Sequence, residues 1–207
     1  MASRSTDPDP RVTVLTLDQR RSQTADDAVP ALLEDLADLE GDLLRPFQRT
    51  AGDEVQAVLD DPEPAVEVVA RVLRSGLWYI GIGVGTVRTP LPAETRAGTG
   101  EAFVAARDAV TRAKTEVHRL AVVSRPDRPE AEALETVLGL WAGVLERRTP
   151  GGWEVYDLLA EGLSYAETGA RLGISQSAVS QRARAAGTVD ERRARSLASE
   201  LWGRLLS

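Results

Sequence analysis

The sequence predicts an α+β fold in which a sheet domain is followed by an all-helical one. Three observations carry this expectation. Short β-branched runs alternate with helix-spaced apolar residues as far as residue 125. Beyond the polar, proline-bearing stretch 125–129 (RPDRP), every apolar pattern is helical. Charge divides the chain in the same way: the whole carries −7, whereas residues 151–207 hold seven carboxylates and seven arginines and are neutral.

Residues 11–17 (RVTVLTL) are β-branched and aliphatic, a strand pattern. In 27–44, Val29, Leu32, Leu33, Leu36, Leu39, Leu43 and Leu44 recur at helical spacing, with Gly41 weakening the late part. Residues 47–59 read as two strands turning at Gly52-Asp53. Residues 62–73 predict a helix with Ala65, Val66, Val69, Val72 and Leu73 on one side. Residues 78–84 (WYIGIGV) predict a strand whose small face, Gly81 and Gly83, invites a close neighbour. A loop over 88–98, a helix over 101–116 and a last strand over 120–123 follow. The order β-α-β-β-α-β-α-β sets two β-α-β-like passes around a hairpin, the pattern of a ferredoxin-like sheet. Residues 1–10 are then a disordered N-terminus, 11–125 the sheet domain and 130–207 the helical domain. In the last, 130–147 carries Leu134, Val137, Leu138, Trp141, Val144 and Leu145 at helical spacing, and Thr149-Pro150-Gly151-Gly152 breaks the run. Residues 189–206 are apolar at Leu197, Leu201, Trp202 and Leu205, which suits either a core helix or a dimer contact.

Between these helices the chain spells a helix-turn-helix. Residues 153–163 supply a helix with Val155, Leu158, Leu159 and Leu163 inward. Ser164 caps a second helix over 165–172, and Glu167 completes a capping box. Gly173 ends it where a left-handed backbone is needed. Ile174 fills the corner, and Ser175 caps a recognition helix, Gln176–Ala185, with Ala178 and Val179 inward. Gly169, four residues before Gly173, falls where the two helices come closest. Ser175, Gln176, Ser177, Ser180, Gln181 and Arg184 are left to face outward. These side chains read base edges in the major groove, Gln to adenine, Arg to guanine and Ser to either. Arg182 and Ser164 suit phosphates, and Arg192, Arg193 and Arg195 add backbone contacts. The expected partner is double-stranded DNA, bound by a homodimer, because such proteins pair on palindromes. The segment resembles the helix-turn-helix of sigma-factor and LuxR-like regulators.

Composition excludes several chemistries. There is no cysteine and one histidine, His118, so disulfides, thiol catalysis and Cys/His zinc sites are out. Metal chemistry would run on carboxylates, which favour magnesium or manganese. No apolar run reaches the length of a membrane span. The polar start lacks the pattern of a secretory signal, so the expected compartment is the cytoplasm.

In the front half, Asp18 ends the first strand and Asp53 sits at the hairpin tip. If strand and hairpin are neighbours, the two carboxylates meet at one sheet edge and, with phosphate oxygens, make a magnesium site. The competing reading makes Asp53 a turn former and Asp18 the end of a strand. Gly81, Gly83 and Gly85 are not a dinucleotide fingerprint, since the spacing is G-x-G-x-G and no helix follows directly.

The run 47–55, in which Gly-Asp follows an Arg-Thr pair, together with 80–85 and 100–107, resembles class III nucleotide cyclases. GDE-x-Q at 52–56, GIG-x-G at 81–85, GEAF-x-x-AR at 100–107 and a C-terminal helix-turn-helix together resemble the SatD family over nearly the whole chain. Those are small bacterial proteins with a cyclase-like front half, thought to bind DNA. The resemblance implies that Asp18 and Asp53 are metal carboxylates, Arg107 a transition-state arginine and Arg49 a neighbour of the base-recognising position. Magnesium with a nucleotide is the ligand it implies. Phe103 stands where the cyclases carry an asparagine that orients the ribose, and Phe cannot hydrogen-bond. The expectation is therefore a DNA-binding transcriptional regulator and not an enzyme, its front domain sensing a ligand or dimerising. Two alternatives stand beside it: a metal-dependent nucleotide cyclase run by Asp18, Asp53 and Arg107, and a scaffold whose helical half binds protein.

Overall fold

The computed structural model describes residues 10–207; the disordered start expected for 1–10 lies, except for Pro10, outside the described residues. Five strands form one sheet in the order β2-β3-β1-β4-β5. They are β1 (Arg11–Gln19), β2 (Arg45–Ala51), β3 (Glu54–Leu59), β4 (Trp78–Thr86) and β5 (Leu120–Ser124). β1 runs antiparallel to both β3 and β4, and β2 pairs antiparallel with β3. The first four strands thus take the ferredoxin-like arrangement that the element order predicts. β5 joins β4 in parallel, and such a pair needs a crossover, which α3 (Glu101–Ala113) supplies.

Alternation along β1 divides the core into two layers. Val12 and Val14 face α3, whereas Leu15 and Leu17 face the opposite layer. On the α3 side the glycines of β4 make the close approach. A Cβ on Gly81, Gly83 or Gly85 would come within 2.4, 2.1 or 2.9 Å of the backbone nitrogens of Val110, Ala106 and Ala102. Every second strand residue advances about 6.6 Å and every fourth helical residue about 6 Å. The two repeats therefore stay in step for three contacts, with helix and strand running in opposite directions.

The other layer holds α1 (Val29–Asp35), α2 (Pro62–Ser75), α4 (Pro129–Glu146) and α8 (Thr188–Leu206). Trp202 of α8 is fully buried, and its Nε1 donates to Thr13 Oγ1 of β1 at 2.7 Å. α8 is therefore a core helix, which answers the choice the sequence left open. α4 and α8 lie beyond the 125–128 loop yet share the core of the sheet. α5 (Pro150–Ala160), α6 (Tyr165–Leu172) and α7 (Gln176–Ala185) have a core of their own, made by Val155, Val179 and Ala183 with Leu159, Leu172 and Ile174.

One expected helix is corrected. Residues 27–44 do not form a continuous helix: α1 stops at Asp35, and Ala37–Asp42 is a 3-10 turn. Gly41 is a poor helix former, and the chain must reach the edge strand β2 by Arg45. Arg71 of α2 fixes the break by donating to Asp35 O and Asp38 Oδ1, both at 2.6 Å. Among the described residues no helix is long and apolar enough to cross a membrane.

Candidate nucleic-acid interface

Each cap that the sequence spells out is made. Ser164 Oγ accepts from Glu167 N–H at 3.3 Å, while Glu167 Oε2 accepts from Ser164 N–H at 2.8 Å. The Ser164 hydroxyl also donates to Glu167 Oε2 at 2.6 Å, and this bond, with the one from the Ser164 N–H, holds the Glu167 carboxyl below its ordinary pKa. Gly173 turns at φ 67°, and Ile174 N–H then donates to Gly169 O at 2.9 Å. Gly169 is needed here, because a Cβ on it would lie 2.7 Å from Ile174 O. Ser175 Oγ accepts from Ala178 N–H at 3.2 Å and lies 2.9 Å from Ser177 Oγ, so α7 starts on a fixed cap.

With Val179 and Ala183 buried, the opposite side of α7 is open. Ser175, Gln176, Ser177, Gln181 and Arg184 are exposed and Ser180 half-buried. Arg184, Arg192 and Arg193 have no ion-pair partner among the described residues. Arg182 lies across Gly151 at the start of α5, with Nη1 3.7 Å from Glu154. Arg195 is corrected: its guanidinium bonds Glu67 of α2, approaches Glu191 at 3.7 Å and lies over the Trp141 ring, so it is spent inside the protein.

Sequence reasoning missed the device that fixes this unit to the sheet domain. Arg148, in the short link between α4 and α5, has a fully buried side chain and bonds Glu191 of α8 at 2.5 Å. Its guanidinium lies 4.3 Å from the rings of both Trp153 and Tyr156. Tyr156 Oη donates to Glu191 at 2.9 Å, and burial beside that carboxylate pushes the phenol up to about 12. Arg195 carries the chain of ion pairs to Glu67, and Arg71 carries it on to Asp38. Arg74 of α2 clasps Asp157 of α5 at 2.6 Å and stacks on Trp153 at 4.2 Å. The sequence signal was only a set of arginines and acids at matching helical spacing, which names no partner.

The front-domain residues are partly brought together. Asp18 pairs across strands with Glu54, next to Asp53, so the two expected residues lie at the same end of the sheet, on its central strand and on the neighbouring hairpin. The cation beside them is Lys114, whose Nζ lies 2.9 Å from Asp18 Oδ2. That bond, with the fields of Asp53 and Glu54, raises the Lys114 pKa. Among the described residues no group of three or more acids or histidines could hold a metal ion. Arg49 is engaged by both oxygens of Asp27 and by Gly52 O. Arg107 is exposed beside Phe103 and Arg96 at the wall of a cavity.

A capped, sharply turned helix pair with one polar ridge uncovered defines a helix-turn-helix DNA-binding unit. Comparison with protein families agrees: residues 144–187 match the model for sigma-70, region 4, a helix-turn-helix DNA-binding domain. No curated protein matches the chain.

Proposed function

We propose that the protein is a transcriptional regulator that binds double-stranded DNA through α7 and senses a ligand through its sheet domain. The observation that carries this is the open ridge Gln176, Ser177, Gln181 and Arg184, backed by a rigid cap and core. Ser180 and Arg184 read bases with the glutamines, while Arg182, Arg192 and Arg193 hold phosphates. The strand order β2-β3-β1-β4 and the glycine face of β4 support a SatD-like, cyclase-like reading of the front domain. Nucleotide turnover is disfavoured, because magnesium on Asp18 and Asp53 would have to displace Lys114, and Phe103 offers no hydrogen bond. A homodimer matches a palindromic site, and sedimentation of the free protein tests it.

Gel shifts against genomic fragments, repeated over a range of salt, test the DNA reading. Arg184→Ala should relax base preference, whereas Arg182→Ala should weaken all DNA alike and flatten the salt slope by about one. Identical behaviour of the two variants would refute the assignment of α7. Product formed from ATP or GTP with manganese, and abolished by Asp53→Asn, would establish the enzyme reading instead.

A further inference from the structure

On its face of the sheet α3 lies on β4, β5 and β1, while Leu44, Val87, Leu91 and the 95–97 turn pack toward β2 and β3. Beside the helix a cavity of about 250 Å3 opens over β1 and β3, walled by α3 and the 95–98 turn. Its chemistry is divided. The inner end offers acceptors. Gln56 Nε2 donates to the buried Thr16 Oγ1 at 2.9 Å, while the side-chain carbonyl oxygen Oε1 of Gln56 accepts nothing among the described residues. Glu54 Oε1 accepts from Thr50 at 2.6 Å, and its other oxygen likewise accepts nothing. The outer end offers cations. Arg107 is exposed with no ion-pair partner among the described residues, and Arg96 touches only its exposed neighbour Glu94. The tip of the Phe103 ring packs on Gly98 at the cavity wall, where a Cβ would lie 2.0 Å from Phe103 Cζ.

We infer that this cavity binds a small molecule with N–H donors at one end and an anionic group at the other. Glu54 and Gln56 accept from the nitrogen end, Phe103 lines the wall, and Arg107 with Arg96 holds the anion. The inference rests on the ligand-sensing reading of the front domain and names its site and ligand chemistry, with no metal required. A zwitterionic amino acid fits within the volume. An aminopurine nucleotide places its base inside and its phosphate at the arginines. Thr16 lies on β1, the strand that receives Trp202 of α8 through Thr13, so an occupied cavity adjoins an element tied to the helical half.

Calorimetry on the full chain, in chelator, with the free amino acids and with AMP and GMP tests this. Binding of either class supports the inference and identifies the source. Arg107→Ala, an exposed change, should weaken it by about tenfold or more, as expected for a lost bond to a charged group. Glu54→Gln should weaken the amino ligand while leaving its des-amino analogue (the hydroxy acid, or IMP) unchanged. Absence of binding at millimolar concentration for every probe overturns the inference, as does binding indifferent to Arg107→Ala. Gel shifts by the same preparations report the DNA reading separately, so failure of one is not failure of the other.

Discussion

Replacing Glu191 by Ala removes the carboxylate at the centre of the junction between the sheet domain and the helix-turn-helix. The Arg148 side chain is 0% exposed and that of Glu191 4%, so neither charge is solvated. After the substitution Arg148 keeps its bond to Ala186 O at 2.9 Å, but its Nη1 already lacks a partner among the described residues. Breaking one side of a buried pair costs about 3–5 kcal/mol, because the remaining charge stays uncompensated. The two flanking rings offset a little of that, and the orphaned Tyr156 hydroxyl adds to it. With about 4 kcal/mol lost and a urea slope of about 2 kcal/mol/M, the midpoint should fall by about 2 M. Tryptophan fluorescence follows this directly, since Trp153 and Trp141 sit beside Arg148 and Arg195. The double replacement Arg148→Met with Glu191→Leu should recover most of the loss, because an apolar pair leaves no charge behind. A shift below about 0.5 M for Glu191→Ala, or a double variant no better than the single one, would refute the reasoning.

Other consequences follow from the same contacts. Thr168 is fully buried and its hydroxyl has no partner among the described residues, so Thr168→Val should stabilise the chain by about 1 kcal/mol in urea unfolding. Gly169→Ala should cost about 1–3 kcal/mol and weaken DNA binding in gel shifts, because the new Cβ meets a backbone carbonyl. Gly83→Ala should cost at least about 3 kcal/mol by thermal unfolding, since α3 cannot back away without breaking the neighbouring contacts of Gly81 and Gly85. The lowered Glu167 pKa stabilises the fold above the carboxyl's ordinary value of 4.5. That contribution is lost as pH falls through the lower folded value, so the start of α6 should fray in acid, read by amide exchange. Tyr156 acts in the opposite range: its raised pKa favours the neutral phenol, so stability should fall between its ordinary 10.0 and about 12, read by unfolding at alkaline pH.

The helix-turn-helix was legible because its signals are local. Ser164, Glu167, Gly173 and Ser175 act on backbone groups within a few residues, and each does what its type and position dictate. The glycine face of β4 was legible as well, since a strand with no Cβ on one side has to meet something close. The 27–44 segment was misread because its leucines kept helical spacing through the break. What ends the helix there is a tertiary bond from Arg71, which no local pattern records. Arg195 was misread for a related reason. Arginines that hold phosphate and arginines that hold a distant glutamate look alike until the partner is placed.

By itself, then, the sequence determined the element order, the caps, the turn and which side chains of α7 point outward, all consequences of backbone geometry and short-range hydrogen bonding. The tertiary structure decided which charges cancel. Lys114 beside Asp18, and Arg148 with Glu191, are pairs far apart in the chain, and Coulomb attraction depends on distance in space and on the water left between the charges, neither of which a linear order of residues contains.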